Sequence, residues 1–160
     1  VGGSEPDLAN VQPRGYSAGK TWMDSAGAYR PMQKRLIMGN TVGHGSTSVA
    51  LHEGSHALDH ALGYPSSNDA GFALPYYRLP QREMSPYYTK EGNPGGYLSE
   101  TFAEISAAWL KNRGETASTR RVRMANALGI YKLTGQTLTQ ITALDRYFAK
   151  LLKEVDSGAR

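Results

Sequence analysis

The stretch Leu51-His52-Glu53-Gly54-Ser55-His56-Ala57-Leu58-Asp59-His60 constrains the fold more than any other part of the chain. Histidines four apart lie on one face of a helix, one turn above the other. Their imidazoles then reach a single ion at Zn–N bonds of about 2.0–2.1 Å. Glu53 lies about 100° round the helix from His52, beside the open coordination position. A general base that takes a proton from water must stand there. On a helix this HExxH spacing is a specific signal for a zinc site. Three of the chain's four histidines fall inside the stretch, which weighs against a solvated helix that carries His and Glu by chance.

His60 continues the series but lies about 12 Å along the axis from His52, too far to share the ion. It reads as a partly exposed histidine near the helix C-terminus. His44, in Gly43-His44-Gly45, reads as a loop histidine. Gly54 and Ser55 are weak helix formers and leave room for another segment to approach.

A catalytic zinc site needs a third protein ligand and one open position. The chain has no cysteine, so Asp, Glu or His must serve. Tyr97-Leu98-Ser99-Glu100-Thr101-Phe102-Ala103-Glu104-Ile105 puts two carboxylates one turn apart on a mostly apolar segment. Buried carboxylates need partners. Glu100 on the metal and Glu104 bonded to the far nitrogen of a ligand histidine satisfies both. Glu104 is the substitute ligand. The opposing reading is that acids simply favour the first helical turn, which explains Glu100 better than Glu104.

With 160 residues the chain suits one domain with its own core. A net charge of +4 is too small to argue for nucleic acid. No apolar run is long enough to span a bilayer. The opening at Val1 has no signal-peptide pattern and reads as a mature product or an excised domain. Without cysteine, redox compartment leaves no mark.

Residues 1–17 read as an irregular arm. Arg35-Leu36-Ile37-Met38 reads as a strand ended by Gly39-Asn40, with a partner around Ala28-Tyr29-Arg30 across Pro31. Ser46-Thr47-Ser48 caps a helix that runs to Ala61 or Leu62 and stops at Gly63. Its buried side is expected from Val49, Ala50, Ala57, Leu58 and Ala61. Residues 63–96, rich in proline and tyrosine, read as a long ordered loop. Ser99 is expected to cap a helix from Glu100 to Lys111. A basic helix over 119–128 and a last helix from about Gln136 complete a helical C-terminal half.

Two pieces, His52-Glu53-x-x-His56-Ala57-Leu58-Asp59 and Glu100-x-Phe102-Ala103-Glu104, resemble the zincin metallopeptidases with a glutamate third ligand. The nearest resemblance is to the anthrax lethal-factor catalytic domain and the secreted bacterial Pro-Pro endopeptidases. It covers about two dozen residues, and beyond them rests on the order of elements. It implies an α+β, zincin-like fold, with a small twisted sheet packed on the metal helix. His52, His56 and Glu100 would bind Zn2+, Glu53 would be the base, and Glu104 would lie behind the ligands. Asp59 would also support the site, unless it is an ordinary helix-end acid. An oxyanion-stabilising tyrosine is expected seven residues before the ligand glutamate, where this chain has Asn93. Tyr97 is the replacement, with Tyr87 and Tyr88 as rivals. The substrate would be a protein or peptide bound extended along a sheet edge, for which Arg35–Gly39 is the candidate. The resemblance favours a secreted bacterial protein or toxin domain, and nothing demands more than a monomer.

The expected activity is therefore zinc-dependent endopeptidase action. One rival is a zinc hydrolase acting on a non-protein amide; a deformylase is excluded because it needs a cysteine ligand. Another is a non-catalytic metal-containing module that uses Arg113, Arg120-Arg121-Val122-Arg123 and the terminal basic residues to bind nucleic acid or an acidic protein. Those charges read better as a solvated helix face, since no aromatics interleave them at 120–123.

Overall fold

A hairpin and six helices make up the computed structural model, which describes residues 6–13, 18–39, 46 and 48–159. Strands β1 (Gly27–Arg30) and β2 (Arg35–Met38) pair antiparallel, with Gly27 opposite Met38 and Arg30 opposite Arg35. The turn between them starts with Pro31, at the first position, where a missing N–H is harmless. Both strands fall where the sequence places them. Asn40 and His44 lie outside the described residues, as do residues 1–5 and 14–17 of the expected arm. Within the arm, Pro6–Leu8 form a 3-10 turn and Asp7 meets Arg30 at 3.0 Å.

The helices follow as α1 (Val49–Ala61), α2 (Pro65–Asn68), α3 (Ala70–Tyr77), α4 (Tyr97–Lys111), α5 (Ala117–Ala127) and α6 (Gly135–Asp156). The fold is α+β, a small antiparallel hairpin beside a mostly helical body. Among the described residues no helix is long and apolar enough to cross a membrane. The main core lies between α3, α4, α5 and α6. Phe72, Phe102 and Phe148 meet there ring to ring at 5.1–6.2 Å, and Ile105, Met124, Ile141 and Leu144 close round them. Burying such side chains stabilises by about 1.5–3 kcal/mol each. Behind α4, the buried Asp145 of α6 accepts from Trp109 Nε1 at 2.9 Å, Arg120 Nε at 2.7 Å and Arg121 Nε at 2.9 Å. Two arginines of the basic helix are thus pinned to the protein's own carboxylate.

Three expectations are corrected. Residues 63–96 are not one loop: they hold α2, α3 and a 3-10 turn over Pro86–Tyr88. Pro65 and Pro86 open their elements, so these prolines begin structure rather than interrupt it. The buried residues of α1 are polar, namely His52, Glu53, Ser55 and Asp59, while Ala50 and Ala61 are exposed. This helix runs between the hairpin and α4, and α4 offers carboxylates rather than an apolar face. Finally, α4 begins at Tyr97 with Gly96 as its cap residue. Ser99 therefore lies inside the helix, with its hydroxyl released for other work.

After α1, the chain turns through two successive left-handed residues, Gly63 (φ 75°) and Tyr64 (φ 62°, ψ 57°). Glycine adopts this conformation freely. A bulky residue there costs on the order of 1–3 kcal/mol, and a following proline, Pro65, disfavours the helical region further.

Candidate metal centre

Helices α1 and α4 pack side by side and bring His52, His56 and Glu100 together. His52 Nε2 lies 3.2 Å from His56 Nε2 and 3.1 Å from Glu100 Oε2, and His56 Nε2 lies 3.5 Å from the same oxygen. A tetrahedral ion with bonds of about 2.0–2.1 Å holds its ligand atoms roughly 3.3–3.4 Å apart. The three donor atoms already have that spacing, so this set fits zinc. Among the described residues, these three form the cluster able to hold a metal.

The far nitrogens of both histidines are held from behind. His52 Nδ1 meets Glu104 Oε2 at 2.9 Å. Glu104 is fully buried and also accepts from the Tyr88 hydroxyl. Burial, together with the two carboxylates, pushes the Tyr88 phenol far above its ordinary range. His56 Nδ1 meets Ser99 Oγ at 3.1 Å, and Ser99 in turn bonds the carboxylate of Asp59. With the serine hydrogen directed at Asp59, its oxygen accepts from Nδ1. With their hydrogen on Nδ1, both rings would leave Nε2 free for an ion, the arrangement such partners impose around a metal. Asp59 is buried too, accepting from Ser66 N at 2.9 Å and Ser66 Oγ at 2.6 Å. Its own pKa is raised by burial, against those bonds.

His52 Nε2 can instead carry a proton toward Glu100. Burial opposes a charged His52, but hydrogen bonds to Glu100 and Glu104 outweigh it and lift the imidazole to about 10. Glu100 moves the other way: burial would raise it, yet bonds and charge from the two histidines hold it far below the ordinary carboxylate range. These shifts are two halves of one ion pair.

Glu53 does not join the ligands. It is 6% exposed, and burial pushes its carboxyl up against the pull of His52 and His56. The backbone N–H of Tyr29 donates to it. Strand β1 can come this close because Gly27 has no side chain: a β-carbon there would stand 2.8 Å from Glu53 Cγ.

A cleft of about 360 Å³ opens onto the centre, with His52, Glu53, His56 and Glu100 along its floor. One wall is strand β1 at Gly27, Ala28 and Tyr29; another is Tyr87 with Gly95 and Gly96. Strand β2, the expected substrate edge, does not line this cleft; its partner β1 does. Tyr97 is also elsewhere. The first residue of α4, it packs on Tyr76 and bonds the Tyr77 hydroxyl at 3.1 Å. That bond raises its phenol to about 12. Tyr87 lines the cleft instead. His60 is no ligand: its Nδ1 meets the Tyr29 hydroxyl at 2.8 Å. Ser99 was expected as a helix cap and Tyr88 as a rival oxyanion donor; they instead stand behind the histidines, Ser99 on His56 and Tyr88 on Glu104. Compared with known proteins, the chain matches no family model, no curated protein and no solved structure.

Proposed function

We propose that this chain is a zinc-dependent endopeptidase with a zincin-like site. The observation that carries the reading is the pairing of three donor atoms at zinc spacing with a buried carboxylate that stands beside them and outside the triangle. A structural zinc site closes with four protein ligands, whereas a catalytic one has three and an open position. His52, His56 and Glu100 would hold the ion. Bound there, zinc supplies a Lewis acid that polarises a carbonyl and acidifies water.

The chain's own groups do the rest. Glu53, desolvated and anchored by the Tyr29 N–H, takes the proton of the attacking water and delivers it to the leaving amine. The Tyr87 hydroxyl is the candidate donor to the carbonyl oxygen as charge develops there. An extended peptide would lie along β1, the strand that walls the cleft.

The basic-face reading loses ground, because Arg120 and Arg121 are engaged by Asp145. Zinc content and cleavage of a diverse peptide library, read by mass spectrometry, test the proposal. Wild-type protein should bind one zinc and cut; Glu53→Gln should bind zinc and not cut. Equal cleavage by the two proteins would refute Glu53 as base, and no zinc uptake would refute the site.

A further inference from the structure

Beyond His56 the cleft changes character. Tyr29, Pro31, His60 and Tyr64 line the cleft there, and these described residues bring no carboxylate, lysine or arginine to it. The rings form a ladder: Tyr29 to His60 at 5.8 Å between centroids, then His60 to Tyr64 at 5.4 Å. The Tyr29 hydroxyl and His60 Nδ1 engage each other through the 2.8 Å bond. What they offer the cleft is mainly ring surface.

The wall is continuous with the candidate metal centre in one cleft. His60 lies one helical turn, about 6 Å, past His56. An extended peptide advances about 3.3 Å per residue, so the wall meets a side chain within about two residues of the bond held at the metal.

Tyr64 adds an independent observation. It holds a left-handed backbone before a proline, directly after a glycine that already makes the turn. Strain of this kind gathers where a side chain is needed in a fixed place. Tyr64 is 44% exposed and lines the cleft, so burial in the core does not account for it.

We infer that the Tyr29–His60–Tyr64 wall is a specificity subsite that takes an aromatic side chain of the bound peptide. Aromatic rings stack edge-to-face or offset at centroid distances of about 4.5–7 Å, the spacing the wall already uses among its own members. The inference rests on the peptidase reading for its ligand class, but its test does not require cleavage.

The test titrates Glu53→Gln protein, which should not cut, with acetyl-Gly-Gly-Phe-Gly-Gly-amide and with the same peptide carrying Ala for Phe, by calorimetry. The Phe peptide should bind at least about tenfold more tightly. Adding Tyr64→Gly relieves the backbone, so the thermal melt should hold, while the two affinities converge to within about twofold. Tyr29→Leu, which keeps the backbone N–H beside Glu53 and leaves the Gly63-Tyr64 turn untouched, should narrow the difference as well and serves as the test should Tyr64→Gly not fold. Equal affinity for the two peptides before Tyr64 is changed overturns the subsite. So does a preference that survives both substitutions. Failure of the peptidase reading shows separately, as wild-type protein that cuts nothing in the library.

Discussion

Gly27 of β1 and Glu53 of α1 touch: a β-carbon on the glycine would stand 2.8 Å from Glu53 Cγ and 2.6 Å from Val49 Cγ1. Both distances are below ordinary contact, so the strand sets where the proposed base can stand. Gly27→Ala must push the hairpin off α1 or turn Glu53 aside. Overpacking of this kind costs about 1–3 kcal/mol. The variant should melt lower, retain its zinc stoichiometry and lose at least about tenfold in turnover, the effect of displacing a catalytic group. Unchanged turnover would separate the strand from the base.

The two tyrosines give a clean contrast. Tyr87 lines the cleft, and Tyr97 bonds Tyr77 outside it. Removing an oxyanion donor lowers kcat by about 10²–10³ with little effect on binding. Tyr87→Phe should show that loss in kcat at near-constant KM, and Tyr97→Phe should stay within about twofold of wild type. The reverse pattern would return the role to Tyr97.

The supports behind the histidines should appear in metal affinity. Loss of such partners typically weakens metal binding by about 10–100-fold. Ser99→Ala removes the group that His56 Nδ1 meets, and Glu104→Gln removes the charge opposite His52 Nδ1. Competition with a chromogenic chelator should show weaker zinc binding in both variants. Wild-type affinity in either would reduce that residue to a packing role.

The metal-free protein should have a defined pH response. His52 is raised from its ordinary 6.5 to about 10, so its contribution to stability is complete below about pH 6.5 and is lost as pH rises toward about 10. Glu100 is depressed from 4.5, so its contribution is present above about pH 4.5 and is lost as pH falls below that. Melting of the chelator-treated protein should therefore peak between these limits. Zinc must also displace the His52 proton. At pH 8, calorimetry in two buffers of different ionisation enthalpy should register proton release on zinc binding. No buffer dependence would contradict the protonated pair.

Local pattern made the grouping of His52, His56 and Glu100 legible before any coordinates. His52 and His56 are fixed relative to each other by the helical repeat alone, and Glu104 announced itself as an acid among apolar neighbours. What escaped was set by long-range packing. The start of α4 one turn earlier than Glu100 turned Ser99 from an expected cap into a partner of His56, and no local signal distinguishes the two. Strand β2 has the stronger apolar sequence, yet β1 meets the cleft, because the approach depends on a missing side chain at Gly27. Pro65, Pro75 and Pro86 read as a loop when counted. Two of them instead open an element, and the third sits in the eight-residue α3. The buried side of α1 was misjudged because apolarity was taken as the mark of burial, and a site helix buries its chemistry.

The aromatic core on α3, α4, α5 and α6 leaves the metal residues at the margin of the packed mass. An ion at such a margin is a tenant rather than a keystone. Chelation should leave the helical body standing, and the vacated centre should refill on return of zinc without a passage through the unfolded chain. A protein built this way would fold first and take up its ion afterwards.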